Sequence, residues 1–234
     1  MFNLETNNII ADAYLQVIKN IMKPTKVILE SKADTNIKIK PKKKVKIIEA
    51  NIMPDKDSSL NLINACSNGD LNSLDTLLKD GANINMVEKT TQKTPLAAAI
   101  TYNQMEVVKV LIYKGVDLYS LDENNVSPLM LACNLGNFDI ISLLLVQNNI
   151  NVNIQEHYTG YNALMIILDS NILQAFEKER LIMMLIEKGA DLNVKDEQYG
   201  LTALDRINDD QLINIRKILI SNGALTSEEL DKEG

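Results

Sequence analysis

Aromatic residues and cysteines are scarce in this 234-residue chain. Phe, Tyr and Trp together make up 4% of the residues and Trp is absent, so the core must be built from Leu, Ile, Val, Ala and Met. These residue types favour packed helices over an aromatic-rich β-sandwich. The two cysteines, Cys66 and Cys133, are too few for a disulfide framework. We therefore expect a soluble globular protein from a reducing compartment.

Residues that carry out catalysis or bind metals are equally scarce. His157 is the single histidine, and the sequence offers it neither a second histidine nor a reactive cysteine as a partner. There is no glycine-rich phosphate loop, no GxSxG motif, and no Cys or His cluster at metal-ligand spacing. We therefore predict a non-enzymatic protein with no catalytic residues, no cofactor and no metal.

Long apolar runs are absent as well. LIMMLI and ISLLLV have the length of buried helices, well short of the roughly 18 residues that a membrane span requires. The start of the chain, MFNLETNNII, lacks the basic residues and apolar core of a secretory signal. We expect a cytoplasmic or otherwise intracellular protein with no membrane segment. Nuclear entry and delivery into a host cell both stay open.

Charge is distributed unevenly along the chain. Residues 1–59 hold 11 Lys against 7 Asp and Glu, whereas residues 60–234 hold 13 Lys and Arg against 24 Asp and Glu. The first part is therefore at +4 and the second at −11, which together give the net charge of −7. An acidic surface repels the phosphate backbone of nucleic acids, so we expect no nucleic acid to bind the main surface of the protein. The same acidic surface is compatible with a basic protein partner.

The sequence repeats itself with a period of about 33 residues. Five segments align, from LNLINACSNGDLNSLDTLLKDGANIN to TALDRINDDQLINIRKILISNGALT, and their apolar columns coincide. The anchor residues near the segment ends are spaced by 34, 33, 41 and 34 residues: Gly81, Gly115, Asn148, Gly189 and Gly223. Such a period indicates stacked supersecondary units. The long spacing reflects extra residues between the helices of the fourth unit, LDSNILQAFEKERLIMM, which are either tolerated variation or a partner-specific contact.

Each repeated unit predicts two helices and a hairpin-like loop. Thr94 and Ser127 are placed to cap a helix whose first residue is proline, at Pro95 and Pro128. Small residues follow at the helix centre, and a second helix carries an apolar face. The anchor residue then ends that helix in a left-handed conformation, with Asn148 as the substitute for glycine. Cys66 and Cys133 occupy the same column two units apart, about 20 Å at roughly 10 Å per helix layer, and we predict that both are buried.

The units resemble ankyrin repeats. TPLAAA, SPLMLAC and TALD match the helix start of that family, and LLKDGANIN, LIYKGVDL and LIEKGADLN match the repeat end. The family's histidine after Thr-Pro-Leu is absent, and Ala97, Met130, Met165 and Asp205 take its place. The resemblance implies an all-α solenoid of about five helix-turn-helix units with hairpin loops. We assign residues 60–226 to this array, residues 1–59 to an N-terminal extension and residues 227–234 to an acidic C-terminal tail.

The resemblance also implies a function in protein–protein interaction. In the ankyrin family, contact positions lie in the hairpins and directly after the first helices, on one concave surface. Carried onto this chain, and weighted toward tyrosine because it is frequent in binding hot spots, the predicted partner-binding residues are Tyr102, Glu123, Asn124, Leu135, Tyr158, Tyr161, Gln198 and Tyr199. The loop tyrosines could instead pack against their own hairpins. We expect a monomer that binds a protein partner.

The N-terminal extension leaves alternatives open. Residues 6–23 show helical spacing, with Ile10, Tyr14, Val17 and Ile21 on one face, and this helix could cover the first repeat. The following IKIKPKKKVKII alternates isoleucine and lysine, which fits either a β-hairpin or a linker. Its lysines also allow the alternative of a nuclear or nucleic-acid-associated adaptor. The abundance of Ile, Asn and Lys suggests an AT-rich genome, such as that of an intracellular bacterium or large virus, whose partner would be a host protein.

Overall fold

The residues that the structure describes form ten helices joined by turns and loops, with no β-strand among them. The structure is a computed structural model, and it describes residues 56–88, 92–207 and 212–233. The predicted N-terminal helix and the lysine-rich segment lie outside these residues. Numbered in chain order, the helices are α1 Lys56–Asn68, α2 Leu71–Lys79, α3 Pro95–Thr101, α4 Met105–Tyr113, α5 Pro128–Asn134, α6 Phe138–Leu145, α7 Ala163–Asp169, α8 Ala175–Glu187, α9 Ile213–Ser221 and α10 Ser227–Glu233.

The helices form two stacked layers. The first helices of successive units, α1, α3, α5 and α7, pack against one another in that order, and α4, α6, α8 and α9 form the second layer. Each first helix also packs on the second helix of its own unit. This is the predicted all-α solenoid of helix-turn-helix units, and it is confirmed. In the fifth unit, residues 203–206 form turns where the other units have a first helix.

The first helices start at side-chain caps, as the sequence predicts. Thr94 Oγ1 accepts a hydrogen bond from the backbone N–H of Ala97 at 3.0 Å, and Ser127 Oγ accepts one from Met130 at 3.2 Å. In the fourth unit Asn162 Oδ1 does the same. These caps satisfy N–H groups that have no partner within the helix.

The core is aliphatic and runs through every unit. One leucine column is fully or almost fully buried, and it consists of Leu62, Leu96, Leu129, Leu164 and Leu204. Ala65, Ala99 and Ala132 lie beside it and let neighbouring first helices approach closely. Cys66 and Cys133 are both buried and free, as their shared column predicts.

One prediction about the helix ends is wrong. Gly81 has φ 93° and the other three glycine anchors are also left-handed, but Asn148 does not adopt a positive φ. Asn149 does not adopt a positive φ either, so the second helix of the third unit ends without a left-handed residue. Asn83 and Asn151 each accept the backbone N–H two residues on, at 3.0 Å, and Asn83 lies two residues after its anchor. The equivalent anchor in the third unit is therefore position 149.

The end of the chain is helical and is hydrogen-bonded to the fifth unit. The segment assigned from the sequence to an acidic tail contains helix α10. Asp205 Oδ2 accepts hydrogen bonds from Thr202 Oγ1 at 3.0 Å and from the backbone N–H of Ser227, the first residue of α10, at 2.8 Å. Asp205 stands where the ankyrin family has histidine, so this departure links α10 to the fifth unit.

Candidate functional site

The loops between units end in hairpin tips that are closed by backbone hydrogen bonds. Asp122 N–H donates to the carbonyl of Val126 at 3.2 Å, Glu156 to Tyr161 at 3.0 Å and Asp196 to Leu201 at 2.9 Å. We call these loops tip 2 (residues 122–126), tip 3 (residues 156–161) and tip 4 (residues 196–201). All three begin with an acidic residue.

The acidic side chains hold the tips in shape by accepting backbone N–H groups. Asp122 Oδ1 accepts from Asn124 at 2.9 Å, and Glu156 Oε2 accepts from Tyr158 at 2.7 Å. Partial burial of Glu156 disfavours its charged form, but hydrogen bonds from Thr159 and Tyr158 outweigh that cost and hold the pKa of this carboxyl below its usual value. The exposed side chains of the tips are therefore presented from a fixed backbone.

The three tips are joined into one row. Between tips 2 and 3, the backbone N–H of His157 donates to the carbonyl of Asn124 at 3.0 Å. Between tips 3 and 4, the backbone N–H of Glu197 donates to the carbonyl of Thr159 at 2.8 Å. Gln155 Nε2 adds a bond to the carbonyl of Lys195 at 3.2 Å. A row fixed in this way has little backbone entropy left to lose on binding.

Six of the eight predicted partner-binding residues lie on this row, and Tyr161 differs from the other five. Tyr158 is 77% exposed and Tyr199 is 68% exposed. Glu123 and Gln198 are also exposed, and Asn124 is half-buried because its carbonyl joins tips 2 and 3. Gln198 Nε2 donates to the Tyr199 hydroxyl at 2.9 Å. The structure therefore brings Glu123, Asn124, Tyr158, Gln198 and Tyr199 together.

Two predicted residues lie at the opposite end of the first helices. Tyr102 directly follows α3, and Leu135 directly follows α5. Each of these helices has seven residues, so their ends are about 10 Å from the hairpin side at 1.5 Å per residue. Tyr102 is exposed, and Lys93 Nζ lies 5.6 Å from the centroid of its ring. The eight predicted residues therefore fall into two groups, six on the tips and two at this opposite end.

Tyr161 has a different environment from the other tip tyrosines. It is half-buried, and its hydroxyl accepts a hydrogen bond from Arg206 Nη1 at 2.6 Å. Arg206 also binds Asp169 Oδ2 at 2.6 Å and Asp196 Oδ2 at 2.5 Å, and Asp196 is buried. We call Tyr161, Asp169, Asp196 and Arg206 the Arg206 cluster. It ties tips 3 and 4 and helix α7 to the fifth unit, so Tyr161 already has a structural role.

Comparison with known proteins agrees with this architecture. A family model described as ankyrin repeats (3 copies) matches residues 62–156. This part of the chain consists of ankyrin repeats. Ankyrin repeats generally mediate protein–protein interaction. The match covers the first three units of the array.

Proteins similar to this chain occur in very different organisms. The ankyrin repeat protein YahD of Escherichia coli is 25% identical over 195 residues, which cover 68% of this chain and 94% of YahD. Alpha-latrotoxin-Lg1a of Latrodectus geometricus is 27% identical over 61% of this chain, and the B-cell lymphoma 3 protein homolog of Mus musculus is 22% identical over 66%. The aligned regions span only 10% and 34% of those two proteins.

Sequence reasoning missed a second exposed surface, formed beside the insertion in the fourth repeat. Ile172 is 60% exposed and lies against Gly136, where an added Cβ would be 2.6 Å from the Ile172 Cβ. Phe176 follows in the first turn of α8 and is also largely exposed. The insertion itself was the available signal, but its position against the third repeat is visible only in three dimensions.

The described residues hold neither a metal-binding cluster nor a membrane-spanning helix. Within residues 56–88, 92–207 and 212–233, no group of three or more His, Cys, Asp or Glu side chains is placed to hold a metal ion. Over the same ranges, no helix has the length and apolar character needed to cross a membrane.

Proposed function

We propose that this chain binds a protein partner, without catalysing a reaction, through the row of hairpin tips and the neighbouring first-helix surface. The observation that carries the proposal is the pair Tyr158 and Tyr199, which project from a hydrogen-bonded backbone and are 77% and 68% exposed. Tyrosines are enriched among binding hot spots because they bury a large apolar area and keep a polar end.

The contacts within the row indicate that the Tyr158 and Tyr199 rings are available to a partner and do not pack against their own hairpins. Within the described part of the chain, the Tyr158 side chain has no hydrogen bond or ring contact, and the Tyr199 side chain bonds only to its neighbour Gln198. Tyr161, in contrast, is occupied by Arg206. We therefore narrow the tyrosines proposed to contact the partner to Tyr102, Tyr158 and Tyr199, together with Glu123, Asn124, Leu135 and Gln198.

The charge and composition of the chain support particular kinds of partner. Residues 60–234 carry a net charge of −11, which favours a partner with a basic surface. The abundance of Ile, Asn and Lys, typical of AT-rich genomes of intracellular bacteria and large viruses, supports a host protein as that partner.

The proposal is tested by capture with matched variants. The tagged chain, the double variant Tyr158→Ala/Tyr199→Ala and the control Tyr113→Ala are used side by side with lysate of candidate host cells, and recovered proteins are quantified by mass spectrometry. Tyr113 is 90% exposed but lies on α4, in the second helix layer. We expect the partner to be recovered with wild type and with the control and to be lost with the double variant. Equal recovery with all three chains would refute the proposed surface.

A further inference from the structure

The insertion borders an open groove on the side of the molecule opposite the hairpin tips. The groove has a volume of about 450 Å³, and its lining includes Ile100 and Thr101 of α3, Leu135 and Gly136 after α5, and Phe138 of α6. Asn103 and Asn137 line it as well, together with Asp139 and Glu177. We call it the inter-helix groove.

The insertion changes how successive inter-helix loops meet at this place. In the first two repeats, Gln104 lies against Gly69 and donates from Nε2 to the carbonyl of Ser67 at 2.9 Å. In the fourth repeat, Ile172 lies against the equivalent glycine, Gly136, so an apolar side chain replaces a polar bridge. Leu135, beside it, is 39% exposed. The insertion therefore adds apolar surface next to the groove.

The charged residues that line the groove are both acidic. Asp139 is exposed in the first turn of α6 and makes no ion pair or side-chain hydrogen bond within the described part of the chain. Glu177 uses Oε2 to accept the backbone N–H of Gln174 at 2.8 Å, which leaves Oε1 free for another donor. Arg180 lies 5.4 Å from the Phe138 ring centroid, but it does not line the groove. The groove therefore has a mainly polar lining with two acidic side chains, and the apolar surface of Leu135 and Ile172 lies at its edge.

From this combination we infer that the inter-helix groove binds a segment of a partner protein in which apolar side chains lie next to lysine or arginine. The groove is open, so it does not enclose a small molecule as binding pockets do, whereas a peptide segment can lie along it. Apolar side chains of the segment contact Leu135 and Ile172, and its cation binds Asp139 and Glu177. This inference rests on the proposed function, because it assumes a protein partner, and it assigns the chemistry of one contact.

The inference is tested with defined peptides. Fluorescein-labelled peptides of Leu and Lys, of Leu and Glu, and of Ser and Lys, all of one length, are titrated with the full chain and followed by fluorescence anisotropy. We expect saturable binding of the Leu/Lys peptide only. Equal binding of the Ser/Lys peptide would show attraction to charge alone, and no saturable binding of the Leu/Lys peptide would also overturn the inference.

Matched variants locate the binding site of the peptide. We expect Leu135→Ala and Asp139→Lys each to weaken binding of the Leu/Lys peptide at least tenfold. The controls Tyr113→Ala and Glu187→Lys, which remove an exposed ring and reverse an exposed charge outside the groove, leave binding unchanged. Far-UV circular dichroism verifies that every variant is folded. If Glu187→Lys weakens binding as much as Asp139→Lys does, the groove is not the site.

The variant Tyr158→Ala/Tyr199→Ala separates this test from that of the proposed function. The double variant lies outside the groove, so we expect it to bind the peptide normally while it loses the captured partner. A chain that captures its partner through the tips but binds no peptide would refute the groove and leave the proposed function standing. Loss of peptide binding in the double variant would refute the assignment to the groove.

Discussion

Replacing Arg206 by methionine should destabilise the C-terminal part of the array. The Arg206 side chain is 8% exposed and the Asp196 side chain is fully buried, so Arg206→Met leaves a buried carboxylate without its cation. Removing one partner of a buried ion pair typically costs about 3–5 kcal/mol. Asp196 keeps its hydrogen bond from the Tyr199 backbone at 2.6 Å, which places the expected loss near the lower end, at about 3 kcal/mol.

Urea unfolding followed by far-UV circular dichroism measures this loss. With a slope of about 2 kcal/mol per molar urea, the midpoint should fall by about 1.5 M. The matched control is Lys232→Ala, which removes the exposed ion pair with Glu228 and should leave the midpoint unchanged. An Arg206→Met midpoint equal to that of the control would refute the structural role of the Arg206 cluster.

A double-mutant cycle with Asp196→Asn tests the pairing itself. Because the asparagine retains an oxygen for the Tyr199 N–H and carries no charge, Arg206→Met/Asp196→Asn should recover at least about 2 kcal/mol relative to Arg206→Met. Additive losses would show that the two residues act independently.

The same pair predicts a pH dependence. Burial of Asp196 disfavours its charged form, but bonds from Tyr199 and Arg206 outweigh this, so its pKa in the folded chain lies below the usual 3.8. A depressed carboxyl pKa contributes stability that is present above the unfolded pKa and is lost as the pH falls through the folded pKa. The stability difference between wild type and Arg206→Met should therefore shrink below about pH 4. A difference that stays constant down to pH 2 would contradict this assignment.

Three further predictions concern the core, the last helix and the thiols. Leu144→Ala removes a fully buried side chain of α6 and should lower the free energy of unfolding by about 2–5 kcal/mol in urea titrations; an unchanged midpoint would contradict the packing. Asp205→Ala removes the acceptor for the Ser227 N–H and should speed amide hydrogen exchange in residues 227–233, whereas exchange in α6 should not change. Unchanged exchange in residues 227–233 would show that α10 is held in another way. Burial raises the pKa of the Cys66 thiol to about 12 and also raises the pKa of the Cys133 thiol. The native chain should therefore not react with Ellman's reagent at pH 8 until it is unfolded. Rapid reaction of the native chain would contradict the burial of the two thiols.

The helices and their order could be predicted from the sequence because each unit carries its own local signals. Thr94 and Ser127 followed by proline place the starts of α3 and α5, and the glycine anchors place the ends of the second helices. The third unit shows the limit of this reasoning. Its anchor is an asparagine within a run of asparagines, so the sequence allowed two registers, and only the Asx turn at Asn151 separates them.

Contacts between units could not be predicted because they join residues that no local pattern relates. Arg206 lies 45 residues after Tyr161, in a column that holds Ala98 in the second unit, so nothing in the repeat marks it as a partner for that tyrosine. Ile172 lies in an insertion whose path the period does not determine, yet it packs on Gly136. The predicted site residues therefore remain a prediction, and Tyr161 was grouped with side chains whose environment differs from its own.

The central claim is that a protein partner contacts the row of hairpin tips, and site-specific photo-crosslinking tests it most directly. A photoreactive phenylalanine derivative is placed at position 158, 199 or 113 of the full chain, and adducts are collected from cells that contain the partner. The proposed surface predicts one discrete protein adduct shared by positions 158 and 199 and absent at position 113. Adducts at position 113 alone, or the same adducts at all three positions, would contradict it.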